Sequence, residues 1–267
     1  MLLSALYRYP LKSARGQALQ SSSLGLLGLD GDRRWMLVER DNGRFLTQRA
    51  YPQMSQLTAL YGVDGELTLE APGRPALKVA VPQADSDLRG VTIWRDTFRV
   101  PDAGDVAAQW LSEFIGKDVR LVHVPEARSR FLPGGYGEVN DRVAFADGFP
   151  LLLIGQGSLD DLVQRVGRPL EMQRFRPNLV VEGAEAFAED GWKRIRIGEM
   201  EFRVLKPCER CIMTTIDPQT GERSADREPL TTLKTYRQKE GDVLFGQNLV
   251  ADGSGVLEVG MPVTVLE

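Results

Sequence analysis

A chain of 267 residues that is 42% hydrophobic and 26% charged has material for one large domain or two modest ones, each with its own core. Its formal charge of -4 argues against nucleic acid as the main partner, while leaving room for a local basic pocket. Two cysteines and one histidine exclude a four-thiolate iron–sulfur cluster built from this chain, and any Ser-His-Asp or Cys-His site would have to use His123.

The first ten residues carry no charged stretch ahead of their apolar run and read as a strand, not a signal peptide. No apolar run reaches the roughly 18 residues of a membrane span, so a cytoplasmic protein without a membrane partner is expected. Strands are predicted at Leu2–Tyr9, Arg34–Arg40, Gln56–Tyr61, Glu66–Glu70 and Leu77–Val81, separated by turn pairs such as Asp64-Gly65 and Pro72-Gly73. Asp105–Ile115 has helical spacing, with Val106, Trp110 and Phe114 on one predicted face and Gly116 placed to end it. His123 closes an apolar run and reads as a half-buried strand histidine. Ser129–Asn140, centred on Pro133-Gly134-Gly135-Tyr136-Gly137, reads as a mobile loop or lid. A second helix is predicted from Ser158, its hydroxyl serving as the cap and Leu159, Leu162, Val163 and Val166 forming its apolar stripe. Further strands follow at Asn178–Glu182, Ile195–Ile197, Glu201–Leu205, Val243–Val250 and Pro262–Leu266, with a short helix near Leu230–Arg237. The expected class is α+β, predominantly β, in two parts covering residues 1–118 and 119–267.

The densest chemical signal is Lys206-Pro207-Cys208-Glu209-Arg210-Cys211-Ile212-Met213-Thr214-Thr215-Ile216-Asp217. Pro207 is predicted to end the preceding strand and leave both cysteines in a loop beside Lys206 and Arg210. Neighbouring cations favour thiolate, the form that binds metal or attacks. The β-branched residues after Cys211 make a poor helix, which weakens a thioredoxin-like reading. Half of a zinc knuckle has no second half in the chain. Two reduced core thiols remain the plain alternative for a bare pair at this spacing.

Around that pair runs a longer pattern: Tyr9-Pro10-Leu11-Lys12-Ser13, Asp32-Arg33-Arg34-Trp35, Phe175-Arg176-Pro177-Asn178, the cysteine segment, Glu228–Lys234 and Phe245-Gly246-Gln247. In this order the pieces resemble the MOSC family, in particular its bacterial YcbX-type and mitochondrial amidoxime-reducing groups, across nearly the whole chain. The resemblance implies a β-rich N-terminal domain packed on a MOSC β-barrel with a few helices, and a molybdenum cofactor (Mo-molybdopterin) between them. It makes Cys211 the thiolate ligand of the metal. It places Lys12, Ser13, Arg33, Gly148, Arg176, Asn178 and Arg210 where the family holds the pterin and its phosphate. Forked guanidinium donors, a point-charge ammonium and a soft thiolate suit such a group. Cys208 is not made a ligand, and a packing role is expected for it. Glu209 stands where amidoxime-reducing proteins commonly have a small polar residue, which bears on substrate choice. Asp217 is the best acidic candidate for a catalytic role near the cysteine loop.

The implied reaction is reductive removal of oxygen from N-hydroxylated compounds such as hydroxylaminopurines, amidoximes and hydroxylamines. The alternative is a cofactor carrier or sulfur-transfer module that uses Cys211 without turning over such substrates. Nothing in the sequence supplies a haem, flavin or iron–sulfur site, and no cysteines remain for a ferredoxin domain. A separate electron donor, a ferredoxin-like protein or a reductase, is therefore expected.

Overall fold

The strand Leu2–Arg8 pairs antiparallel with Leu179–Glu182, more than 170 residues further along the chain, in a computed structural model that describes residues 1–85 and 87–267. Its other neighbour is the local strand Gln17–Leu19. From there the main sheet runs through Leu151–Gly155, Asp242–Ala251, Met200–Arg210, Arg194–Ile197 and Val263–Val265. Leu151–Gly155 and Leu179–Glu182 are parallel, which two strands achieve only through a long crossover. The helix Gln156–Val166 lies on that crossover. Among the described residues, smaller sheets and three α-helices complete a molecule that is α+β and predominantly β, as expected.

Two apolar layers sandwich the main sheet. One contains Leu3, Leu6, Leu153, Leu179, Ile195, Phe202 and Leu249. The other contains Leu152, Ile154, Leu162, Phe175, Val180 and Phe245. This alternation along each strand is what a sheet covered on both faces requires. A third core gathers Leu11, Trp35, Leu37, Leu57, Leu69, Trp110, Leu111, Val119 and Leu121. Val119–His123 pairs antiparallel with Trp35–Glu39 and brings His123 opposite Trp35. Among the described residues, no helix is long and apolar enough to cross a membrane.

Three local expectations are corrected. The helix Asp105–Ile115 buries Ala107, Ala108, Trp110, Leu111 and Ile115, while Val106 is 71% exposed. Two alanines permit closer packing than the predicted valine face, and Gly116 ends the helix in the left-handed region. The second helix starts at Gln156 without a side-chain cap. Ser158 instead sits 2.8 and 2.9 Å from the two carboxylate oxygens of buried Glu189 and accepts the Phe187 N–H at 2.7 Å. Finally, Met200–Arg210 is one strand that passes straight through Pro207. Its pairing slips between Val204 and Lys206 and again between Pro207 and Glu209. Such bulges tolerate a residue that lacks an N–H. The Gly-rich segment is the tip of a short hairpin whose stems are Arg130–Phe131 and Arg142–Val143.

Candidate functional site

The end of that bulged strand opens into a cleft. Its wall comes from places far apart in the sequence, among them the turn after the first strand (Lys12, Ser13), Arg33, residues 146–149, residues 174–178, and residues 208–214. Every cofactor-holding residue expected from the sequence lines it: Lys12, Ser13, Arg33, Gly148, Arg176, Asn178 and Arg210, with Cys211 beside them. Asp217 does not line it. One of its oxygens accepts Arg174 Nη2 at 2.7 Å, and the other takes the N–H groups of Gln219 and Thr220. That carboxylate stands outside the cleft, where it orders a turn and holds the cleft residue Arg174.

Ser13, Arg33 and Arg176 all have left-handed backbone, with φ of 66°, 46° and 55°. A non-glycine residue in that region is strained, and such strain concentrates where surrounding structure fixes a side chain for a purpose. The charged side chains here are held firmly. Lys12 donates to Phe145 O at 2.7 Å and to Asp147 at 2.5 Å. Arg33 donates to Asp32 at 2.6 Å, to Asn178 Oδ1 at 3.0 Å and to Arg176 O at 3.1 Å. Arg176 donates to Ala14 O at 2.7 Å. Arg210 donates to Phe245 O at 2.8 Å and Phe175 O at 2.9 Å. Gly246 makes the last arrangement sterically feasible: its φ is 79°, and a Cβ there would stand 2.7 Å from Leu153 O.

Asn178 plays a supporting part. Its Oδ1 accepts Arg33 and the Leu152 N–H, and its Nδ2 donates to Tyr7 O. Both ends of the amide are thus engaged with protein. Gly148 lines the cleft without steric compulsion, since the nearest atom to a Cβ there is Pro133 Cγ at 3.5 Å. The space is open on the cleft side.

The electrostatics favour an anion. Burial, then the charge of Arg33, pull the Arg176 pKa down to about 10, so the guanidinium still carries its charge at neutral pH. Burial lowers Lys12 and Asp147 opposes it. For Asp147, burial raises the pKa, but the Lys12 charge and hydrogen bond, with help from Trp94 and Arg49, bring it to about 2. Among the described residues, four guanidinium nitrogens of the cleft arginines are buried without a hydrogen-bond partner: Arg174 Nε and Nη1, Arg176 Nη2 and Arg210 Nη2. Orphaned buried donors are rare in native proteins and ask for a ligand.

The two thiols differ. Cys208 packs against the apolar layer containing Leu152, Phe175 and Phe245, and burial pushes its thiol pKa up. Lys206 does not serve either sulfur, because its ammonium is paired with Glu209 at 2.5 Å. Cys211 stands at the strand's end, just before the 3-10 turn Ile212–Thr215, and faces the cleft. Among the described residues, no three His, Cys, Asp or Glu side chains gather as a metal cage. A metal at Cys211 would draw its other donors from a non-protein group.

Sequence reading missed Thr47, Arg49, Asp147, Phe149, Arg174, Met213, Thr214 and Asn248, which also line the cleft. Arg174 had a visible signal, two residues before Arg176 with the buried Phe175 between them. The others come from loops whose positions depend on long-range pairing.

A cleft that brings a thiol together with four buried guanidinium nitrogens lacking a hydrogen-bond partner among the described residues suits a polyanionic group. Residues 1–118 match the MOSC N-terminal beta barrel domain, and residues 140–264 match the MOSC domain. The chain is 34% identical to mitochondrial amidoxime-reducing component 1 of Danio rerio, over 98% of this chain and 84% of that protein. It is 32% identical to the human protein of the same name, over 99% of this chain and 82% of that one. Against the molybdenum cofactor sulfurase of Oryza sativa subsp. japonica it is 33% identical, over 91% of this chain but 32% of that protein. The chain belongs to the MOSC family.

Proposed function

We propose that this protein is a molybdenum-cofactor-dependent reductase that removes oxygen from N-hydroxylated compounds, with Cys211 as the metal's protein ligand. The observation that carries the reading is the set of four orphaned guanidinium nitrogens around the cleft that holds Cys211. They match a pterin cofactor with a terminal phosphate. Arg176, Arg174 and Arg210 would donate to its oxygens, Lys12 and Arg33 would add charge, and Cys211 would complete a sulfur-rich donor set. Asp32 and Asn178 hold Arg33 in place for that task. Similarity to two amidoxime-reducing components over nearly the full chain supports the choice of reaction.

Once bound, the cofactor supplies the two-electron chemistry that cleavage of an N–O bond needs. In balance, R–NHOH takes up two electrons and two protons to give R–NH₂ and water. The electrons come from a separate ferredoxin-like protein or reductase. The protein's own work is to fix the cofactor, shape the approach to Cys211 and exclude competing water.

A second reading, a module for sulfur transfer or cofactor carriage through Cys211, is favoured by the similarity to the rice sulfurase. One experiment separates them. The purified chain is assayed for molybdenum and pterin, then for turnover of an aryl amidoxime with a reduced viologen dye as electron donor. Near-stoichiometric metal with formation of the amidine supports the reductase. Metal and pterin without turnover supports the second reading. A chain expressed with a full cofactor supply that holds neither metal nor pterin refutes both.

A further inference from the structure

Outside the inner cleft lies a second, more open cavity that shares Cys211, Arg210, Asp147, Gly148 and Phe149 with it. Its outer wall includes Trp94, and Arg49 lines both spaces. Trp94 occupies the tight turn between the paired strands Leu88–Ile93 and Asp96–Pro101, with a φ of 52°. A bulky aromatic residue in the left-handed region is a true outlier. Glycine or asparagine would fit that turn more comfortably.

The indole is nonetheless held in place. Its Nε1–H donates to Asp147 Oδ1 at 3.1 Å, its ring meets Phe45 edge-on at 5.1 Å, and the Arg49 guanidinium lies 4.7 Å from its centre. Half of the residue remains exposed. The charges around it are mostly committed: Asp147 to Lys12 and Glu209 to Lys206. Among the described residues, the Arg49 guanidinium has no hydrogen bond and no close ion pair; it lies over the ring of Trp94 and within reach of the Asp147 charge. A strained, anchored, half-exposed indole beside a cation that has no hydrogen bond or ion pair among the described residues is an odd thing to keep for stability, and a natural one for recognition.

We propose that Trp94 and Arg49 form the recognition wall for the non-reacting part of the substrate, and that they favour a planar aromatic N-hydroxylated compound bearing an acidic group over an alkyl one. The proposal rests on the reductase reading above. The aromatic ring lies against the indole in the outer cavity, and Phe149 adds apolar surface on the way inward. The acidic group pairs with Arg49, and the N–OH end points toward Cys211. Both residues are positioning residues and take no part in bond cleavage.

The test uses holoprotein and three substrates: a carboxylated aryl amidoxime, the plain aryl amidoxime and an alkyl amidoxime. Arg49→Ala should raise KM for the carboxylated compound about tenfold, a loss typical of one partly desolvated charge or cation–π contact, with kcat nearly unchanged. Because Arg49 also lines the inner cleft, the comparison is made at equal molybdenum content, and the rise in KM for the alkyl compound should be much the smaller. Trp94→Ala should raise KM for both aryl compounds, and Trp94→Phe should restore most of that loss. Equal changes for all three substrates, or no change in KM, would overturn the proposal. Binding of the carboxylated aryl amidine, the deoxygenated product, is followed in parallel by ligand-observed NMR. Binding by the native protein that Arg49→Ala loses, with no turnover by either, would keep the wall and reject the reductase. Turnover without substrate discrimination would do the reverse.

Discussion

Arg176 stacks its guanidinium over the ring of Tyr9, 4.2 Å from its centre. Arg33 stacks on the same ring at 4.4 Å. Burial raises the Tyr9 pKa, so the phenol stays neutral and offers a quadrupole to both cations, not a countercharge. The nearby carboxylate of Asp32 is bonded to Arg33 and to the Tyr9 N–H. Two positive charges thus share one buried acid, and the surplus faces the cleft.

That surplus gives the first prediction. Arg176→Ala should lower cofactor affinity by about 2–5 kcal/mol, the usual result of truncating one partner of a buried charge pair. Pterin and molybdenum per chain should fall together, while the folded protein survives. Arg176→Lys should recover part of the loss, since an ammonium keeps the charge but not the fork. Full cofactor content in the alanine variant would make Arg176 a structural arginine.

The cysteines should separate cleanly. Both thiols border the cleft, but Cys208 is packed against the apolar layer and burial raises its pKa, so at pH 8 it reacts slowly. In cofactor-free protein, iodoacetamide should therefore label Cys211 first, as read by peptide mass spectrometry. Cys211→Ser should abolish turnover and reduce bound metal, because a hydroxyl is a harder donor and a much weaker acid. Cys208→Ser should retain metal. Equal loss of metal in both variants would point to a dithiol site.

Much of the cleft is legible in the amino-acid sequence, and the reason is chemical. Arg33, Arg176, Arg210 and Cys211 announce themselves by residue type and by the ordered segments they sit in. Part of the contrast between Cys208 and Cys211 is legible too: both border the cleft, but Cys208 also packs against the apolar layer. What the sequence hides depends on contacts that spacing does not encode. Asp147 is adjacent to Gly148 in the chain, yet its role comes from Lys12, 135 residues earlier. Asp217 lies six residues past Cys211, but the turn it caps directs it away from the cleft. Pro207 reads as a strand breaker because a missing N–H usually makes one, and two bulges remove the need for that N–H. The helix face around Val106 fails for a similar reason. A periodic template cannot tell that Ala107 and Ala108 are wanted for close packing.

Ser158 offers a test of one such correction. As a helix cap, it would cost about 1 kcal/mol on change to alanine. As a donor to Glu189 and acceptor for Phe187 in a fully buried network, it should cost more, about 1–3 kcal/mol, because its loss leaves a buried carboxylate short of a partner. Urea denaturation of Ser158→Ala against the native protein measures this directly. The double variant with Glu189→Gln should show strong coupling between the two sites. Additive effects would restore the simple cap.

His123 supplies the last prediction, and the protein's single histidine makes it unusually clean. Its ring lies 4.7 Å from that of Trp35, 7% of the residue is exposed, and Arg34 is close by. Burial first, and the Arg34 charge second, push its pKa down to about 3 from 6.5. The folded state therefore takes a proton less readily than the unfolded chain. The resulting stability is complete above the unfolded value and is lost as pH falls from 6.5 toward 3. The slope across that window approaches about 1.4 kcal/mol per pH unit for one proton. Carboxylates titrate in the lower part of the same range, so the informative quantity is the difference between native protein and His123→Gln. That difference should grow in the native protein's favour as pH rises from about 4 to about 6.5 and level off above. NMR gives an independent reading: the one set of imidazole C–H signals should not shift between about pH 8 and about pH 4.5. A midpoint near 6.5 would mean that the ring reaches water, and both its packing on Trp35 and its place in the strand would need revision.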